Sequence, residues 1–230
     1  MKVLSLSDIV IPFIYSAQIS ERFSDINFGI GCGDLPYYYQ EYVISRLDIP
    51  FYFIRGNHSQ VVERTLAGSH KEPLGAIDLH RRVLSHKGVL LAGVEGCGRY
   101  RAGPYQYTQD EMWMHVFMLV PGLLMNKVKT GRYLDVLVTH APPKGIHDQD
   151  DLPHQGIKAF RWLLNVFKAA YHFHGHIHVY HPDTITETVY RQTRVINTFG
   201  YRETRLELDG GSQTGGIRLQ RQNRRKGCSP

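Results

Sequence analysis

Apolar residues in the first quarter of the chain fall into short dense runs, each ending on a polar turn. KVLSLSD ends on Asp8, INFGIGCGD on Asp34, and PFYFIRGNH on Asn57 and His58. Runs of this length that are apolar nearly throughout predict strands covered on both faces. Between them, IPFIYSAQISERF and PYYYQEYVISRL carry helical spacing. The order βαβαβ predicts a parallel sheet, and ligands bind such sheets at the carboxyl ends of the strands. Asp8, Asp34 and Asn57 all fall at such ends.

The pattern is more mixed further along. AIDLHRRVL and GVLLAGVEG predict a pair of strands, and TQDEMWMHVFMLVPGLLMNKV a long helix that Pro121 is expected to bend or break. YLDVLVTHAPP is again a strand with a polar end, GIKAFRWLLNVFK is helical, and YHFHGHIH is a strand running into histidines. The following segment TITETVYRQTRVINTFGYRETRLEL alternates and is rich in Thr, Val and Tyr, which predicts antiparallel strands. His172 and His174 share a face with His176 and His178 only if the strand continues through Gly175. Gly210, Gly211, Gly215 and Gly216 mark the expected end of one folded domain over 1–209, leaving a tail over 210–230.

With 230 residues and 42% hydrophobic content, one α/β domain accounts for the chain. No run approaches the roughly 20 apolar residues of a membrane span, and the N-terminus lacks a signal-peptide pattern. The three cysteines, Cys32, Cys97 and Cys228, form no CxxC pair, so reduced thiols and a cytoplasmic location are expected. The net charge of +6 is concentrated in the tail, where Arg218, Arg221, Arg224, Arg225 and Lys226 meet no acid, leaving +1 for everything before them. That distribution leaves nucleic-acid binding possible but unsupported, and the chain's pattern does not identify a protein partner.

Five strand ends present Asp8, Asp34, Asn57 with His58, His140, and His176 with His178. Carboxylate, amide oxygen and imidazole together suit Mn, Fe or Zn. The strings SD at Ser7, GDL at Gly33, GNH at Gly56, THAPP at Thr139 and GHIH at Gly175, in that order, resemble the motifs of calcineurin-like metallophosphoesterases. The resemblance spans roughly residues 1–200. It implies an α/β fold of two mixed β-sheets packed as a central sandwich flanked by helices, with a phosphate ester, by analogy a phosphodiester, as substrate. It also implies two divalent metal ions, Mn foremost with Fe, Zn or Mg as alternatives. Asp8 and His178 hold one, Asn57, His140 and His176 the other, and Asp34 bridges them. Two such cations, about 3.5–4 Å apart, generate a bridging hydroxide that attacks phosphorus. His58 then protonates the leaving oxygen or binds the phosphoryl group, a task suited to a side chain that titrates near neutrality.

Two positions depart from the family pattern. Asp-x-His is usual in the first motif, and here the third residue is Val10, which cannot ligate. An acid usually follows GNH, and here it is Ser59. A weakened first site could be completed by waters or by Glu95, or by the loop carrying His147, Asp148, Asp150, Asp151 and His154, although that composition equally suits a polar surface loop. One alternative is a single-metal enzyme, and another is a catalytically weak or idle scaffold that binds a protein. In the segment GCGRYRAGPYQYTQDEM, Arg99 and Arg101 are candidates for the substrate phosphate, with Tyr100, Tyr105 or Tyr107 for stacking. Lys144 is a further candidate by its nearness to His140. The Tyr37, Tyr38, Tyr39 run reads as helix packing.

Overall fold

The apolar runs become the inner strands of two sheets. The computed structural model describes residues 1–65 and 68–208. In chain order the elements are β1 (Lys2–Ser7), α1 (Ile19–Arg22), β2 (Phe28–Cys32), α2 (Tyr37–Leu47), β3 (Phe51–Ile54), β4 (Glu63–Thr65), β5 (Gly68–His70), β6 (Ala76–Asp78), β7 (Arg82–His86) and β8 (Val89–Val94). There follow β9 (Cys97–Gly98), β10 (Gln106–Tyr107), α3 (Gln109–Thr130), β11 (Val136–Thr139), α4 (Lys158–Phe167), β12 (Tyr171–His174), β13 (Glu187–Tyr190), β14 (Thr193–Asn197) and β15 (Gly200–Arg205).

The first sheet has the order β15-β1-β2-β3-β6 and the second β13-β14-β12-β11-β8-β7. Both are mixed. In the first, β1, β2, β3 and β6 are parallel and β15 is antiparallel at the edge. In the second, β14, β12, β11 and β8 are parallel, with β13 and β7 antiparallel on the two edges. Phe28, Ile30, Tyr52 and Ile54 from one sheet meet Leu91, Val136, Val138 and Phe173 from the other in the central core. The outer face of the first sheet is covered by α1, α2 and Ile14, and that of the second by α3 and α4. Because β1, β2, β3, β8, β11 and β12 are central or doubly covered, their residues are buried almost without interruption. The expected sandwich of two mixed sheets between helices is therefore the architecture observed. Among the described residues, no helix is long and apolar enough to cross a membrane, and Cys32 and Cys97 are free and buried.

Four local expectations are corrected. The helix expected before Phe23 is a single turn, Ile19–Arg22. The apolar run around Ile11–Ile14 has no helical period, and the Ser16 hydroxyl bonds the Phe13 carbonyl at 2.6 Å in competition with the backbone. AIDLHRRVL is not one strand paired with the next. Asp78 accepts a bond from the His80 amide at 2.7 Å and Arg81 takes a left-handed φ of 56°, so β6 joins the first sheet and β7 the second. Of the bend or break expected at Pro121, the break does not occur, and α3 runs through it. Pro121 lies on the side of the helix turned away from the second sheet. Of the strands expected to be simply antiparallel, β14 is parallel to β12 and β15 crosses to the first sheet beside β1. The expected domain end at 209 and the basic tail lie outside the described residues.

Ends of α3 are secured by a capping box between Thr108 and Glu111 and by Gly131 in the left-handed conformation. Thr108→Ala is expected to lower stability by about 1 kcal/mol. Phe173→Ala in the central core is expected to lower it by about 3–5 kcal/mol. Urea denaturation followed by circular dichroism measures both, and equal losses would contradict this account of the core.

Candidate metal centre

The polar residues predicted at strand ends do meet, because parallel strands from both sheets end on the same side of the sandwich. Asp8 follows β1, Asp34 follows β2, Asn57 follows β3, His140 follows β11 and His176 follows β12. Asp8, Asp34 and His176 have φ values of 66°, 56° and 68°. Left-handed backbone is unfavourable for such residues and clusters at functional sites. Here it turns each side chain back across the strand ends. Glycine is required where the loops touch: a Cβ on Gly33 would meet the His140 ring and the Gly56 backbone, and one on Gly56 would meet the Asp34 carboxylate.

His140 is the hub. Its Nε2 lies 3.0 Å from Asn57 Oδ1, 3.1 Å from Asp34 Oδ2 and 3.2 Å from His176 Nδ1. The rest of each group is already committed. His140 Nδ1 donates to the Cys32 carbonyl at 2.8 Å, and His176 Nε2 donates to the Pro153 carbonyl at 2.8 Å. The Asn57 amide nitrogen donates to Tyr100 Oη at 3.1 Å, and Asp34 Oδ1 accepts the His58 amide at 2.7 Å. These outer bonds fix the tautomers and the amide orientation. Four electron-pair donors are thereby aimed at one another. Atoms bound to one cation at about 2.0–2.2 Å lie about 3.0–3.4 Å apart, which the observed spacings match. Asp34, His140 and His176 form the only group of three acidic, histidine or cysteine side chains among the described residues that could hold a metal ion.

The electrostatics express the same demand for positive charge. Burial disfavours a charged His140, but the Asp34 carboxylate against it outweighs burial and lifts the imidazole to about 9. Burial likewise pushes Asp34 up, and His140 more than reverses this, holding it at about 2. His176 is held down to about 3 by burial and by the charge on His140.

Asp8 and His178 are looser. The Asp8 side chain is 1% exposed and both its oxygens accept the His176 amide at 3.1 Å, while burial raises its pKa. His178 Nε2 lies 3.9 Å from Asp8, its ring is 42% exposed, and its Nδ1 is paired with Tyr180 Oη at 2.7 Å. Val10 turns away and packs with Ile11 in the core on the helix side of the first sheet. Ser59, where the family pattern has an acid, accepts bonds from the Gly56 amide at 2.9 Å and the Asp34 amide at 3.2 Å, joining two site loops. The His58 ring is exposed at the rim.

Several candidates are engaged elsewhere. Arg99 is held by Glu111 at 2.9 Å, so of the two arginines Arg101, over the Tyr100 ring, stands nearer the centre's supporting groups. Glu95 accepts Tyr107 Oη at 2.8 Å and lies beside Arg55 and His80, so it does not complete the first site. Asp148 staples its own loop through the Gly145 and Gly156 amides and takes the Lys144 ammonium at 3.1 Å. The chain turns at Gly175, so His172 and His174 stay buried behind the centre, His174 paired with His147 at 2.8 Å. Tyr37 and Tyr39 pack α2 as expected, Tyr37 Oη bonding the Gln60 carbonyl at 2.7 Å, while Tyr38 between them is exposed. Sequence reasoning missed the hydroxyl role of Tyr100 and the two carbonyls. It also missed the placement of His154, which pairs with Asp151 at 2.6 Å and lies with its ring 5.4 Å from His176. Only the aromatic, histidine-rich composition of these loops hinted at them.

A profile of the calcineurin-like phosphoesterase family matches residues 2–180. The chain belongs to that family. No curated protein matches it in sequence. Among solved structures, TT1561 of Thermus thermophilus is similar at a TM-score of 0.58 and 11% identity, over 90% of this chain and 99% of that one. GAP50, the anchor in the inner membrane complex of Plasmodium, is similar at 0.48 and 12% identity, over 86% and 71%. At these identities the likeness to TT1561 is one of fold. Within the calcineurin-like phosphoesterase family, this chain carries Val10 and Ser59 at the two positions where its motifs depart from the expected pattern.

Tyr100→Phe leaves the Asn57 amide unanchored and is expected to weaken Mn2+ binding about 10–100-fold, measured by calorimetric titration. Since His140 must shed its proton to bind metal, affinity is expected to rise with pH from about 6 toward 9, with proton release on binding. A pH-independent affinity would show that His140 is not a ligand.

Proposed function

We propose that this protein is a metal-dependent phosphodiesterase using two divalent cations, Mn2+ foremost, and acting in the cytoplasm. The observation that carries the reading is the convergence of Asp34, Asn57 and His176 on His140 Nε2, with the remaining polar atoms of all four side chains occupied. In this reading those four hold one cation, and Asp8, Asp34 and His178 contribute to the other, with Asp34 shared. The cations supply Lewis acidity and an activated water. The protein's own groups do the rest. Asp34 is positioned by His58 N–H and Ser59, and Asn57 by Tyr100. His58 stands beside Asp34 to hand a proton to the departing oxygen, so that water and diester become a phosphomonoester and an alcohol. Arg101 is the arginine available to the substrate phosphate.

Protein purified without chelator is expected to carry Mn or Fe and to hydrolyse bis-p-nitrophenyl phosphate faster than the monoester. Asp34→Asn is expected to abolish most turnover along with metal binding. His58→Ala should lower kcat by about 10²–10⁴ while metal content stays constant. Folded, metal-loaded protein that hydrolyses no phosphate ester would instead be a scaffold.

A further inference from the structure

Residues 112–126 of α3 include no Asp, Glu, Lys or Arg. The inner face, with Met112, Val116, Leu119 and Leu123, is buried on the second sheet. A helix covered on one side normally carries polar residues on the other, whereas one that is apolar all round is covered all round. On the outer face, Met114, Phe117, Met118, Leu124 and Met125 are each at least half exposed, and Val128 is 83% exposed. Met114, Met118, Pro121, Met125 and Val128 succeed one another by four, three, four and three residues, the seam spacing of helices that pack on helices. Six side chains of roughly 200 Å² each, half or more exposed, present about 600 Å². That is at the upper end of the largest apolar patch expected on a monomer.

We propose that this stripe is a homodimer interface in which α3 packs antiparallel against α3 of a second copy, about a two-fold axis beside Pro121. The stripe is its own mate under that operation. Met114 and Val128 are equidistant from Pro121 in sequence, as are Phe117 and Met125, and Met118 and Leu124. Charge agrees. Asp110 and Glu111 open the helix, and Lys127 and Lys129 close it. Glu111 is paired with Arg99, so antiparallel packing sets Asp110 of each copy beside the partner's Lys127 and Lys129 and opposes the helix dipoles, whereas parallel packing would set like beside like. An unrelated partner would need no such symmetry. The basic groups on the stripe are Arg81, against Met118 at 3.8 Å, and Lys127 and Lys129 at one end, with Asp110 and Glu111 at the other, a division that suits an antiparallel copy better than an anionic bilayer. Two stripes together cover about 1,200 Å², the threshold of specific interfaces. This inference is independent of the proposed chemistry.

Sedimentation velocity of the full chain tests it directly. A dimer is expected at concentrations up to about 100 μM, and Met118→Glu is expected to weaken association by about 100-fold while circular dichroism is unchanged. With Cys228→Ser as background, Pro121→Cys should cross-link through a short bismaleimide. Val128→Cys should not, because its two copies stand about 21 Å apart along the axis. A monomeric wild type overturns the proposal, as does a dimer indifferent to Met118→Glu or cross-linking of Val128→Cys as readily as Pro121→Cys. Monomers that sediment with phosphatidylserine vesicles through this stripe would assign the face to a membrane and overturn it equally.

Discussion

Several electron pairs brought within about 3 Å of each other repel unless a positive charge sits among them, and burial removes the water that would otherwise screen them. The cluster around His140 Nε2 is built on that repulsion. Asp34 and His176 accept left-handed backbone to create it, at a cost of order 1–3 kcal/mol each. Gly33 and Gly56 exist as glycines so that the loops can close on it. With the remaining polar atoms of Asp34, Asn57, His140 and His176 tied down, the groups cannot relax by rotating away. The raised pKa of His140 and the lowered pKa of Asp34 are two faces of that confinement.

The sandwich supplies the rigidity. Asp8, Asp34 and Asn57 come from the first sheet, His140 and His176 from the second. The bond from His140 to the Cys32 carbonyl spans the two. The cluster therefore assembles only when the sheets close over the core of Phe28, Ile30, Val138 and Phe173. Folding and formation of the centre are linked through the same contacts, and charge supplied at the centre is transmitted to the stability of the whole.

The parallel strands β1 to β3, and the polar residues at their ends, were legible because doubly buried strands leave a dense apolar run with an abrupt polar stop. The ordered motifs made the family legible for the same reason. Where meaning depended on partners distant in sequence, the pattern was silent. Nothing in AIDLHRRVL distinguishes one strand from two strands of different sheets, since the division rests on a side-chain turn at Asp78. The helix-breaking tendency of Pro121 lost to the packing of α3 on the sheet. Arg99 and Glu95 were reasonable by type, but each had already been taken by a neighbour, Glu111 for one and Tyr107 with Arg55 for the other.

Both imidazoles at the heart of the cluster are steered by main-chain oxygens, those of Cys32 and Pro153. Every residue type carries a carbonyl, so these two bonds place almost no demand on which amino acid occupies either position. They demand the route of the chain instead. The segment around Pro153 is accordingly free to drift in composition over evolution while remaining intolerant of a residue gained or lost. In related sequences its constraint would register as constant length, with little to mark it in any column of letters.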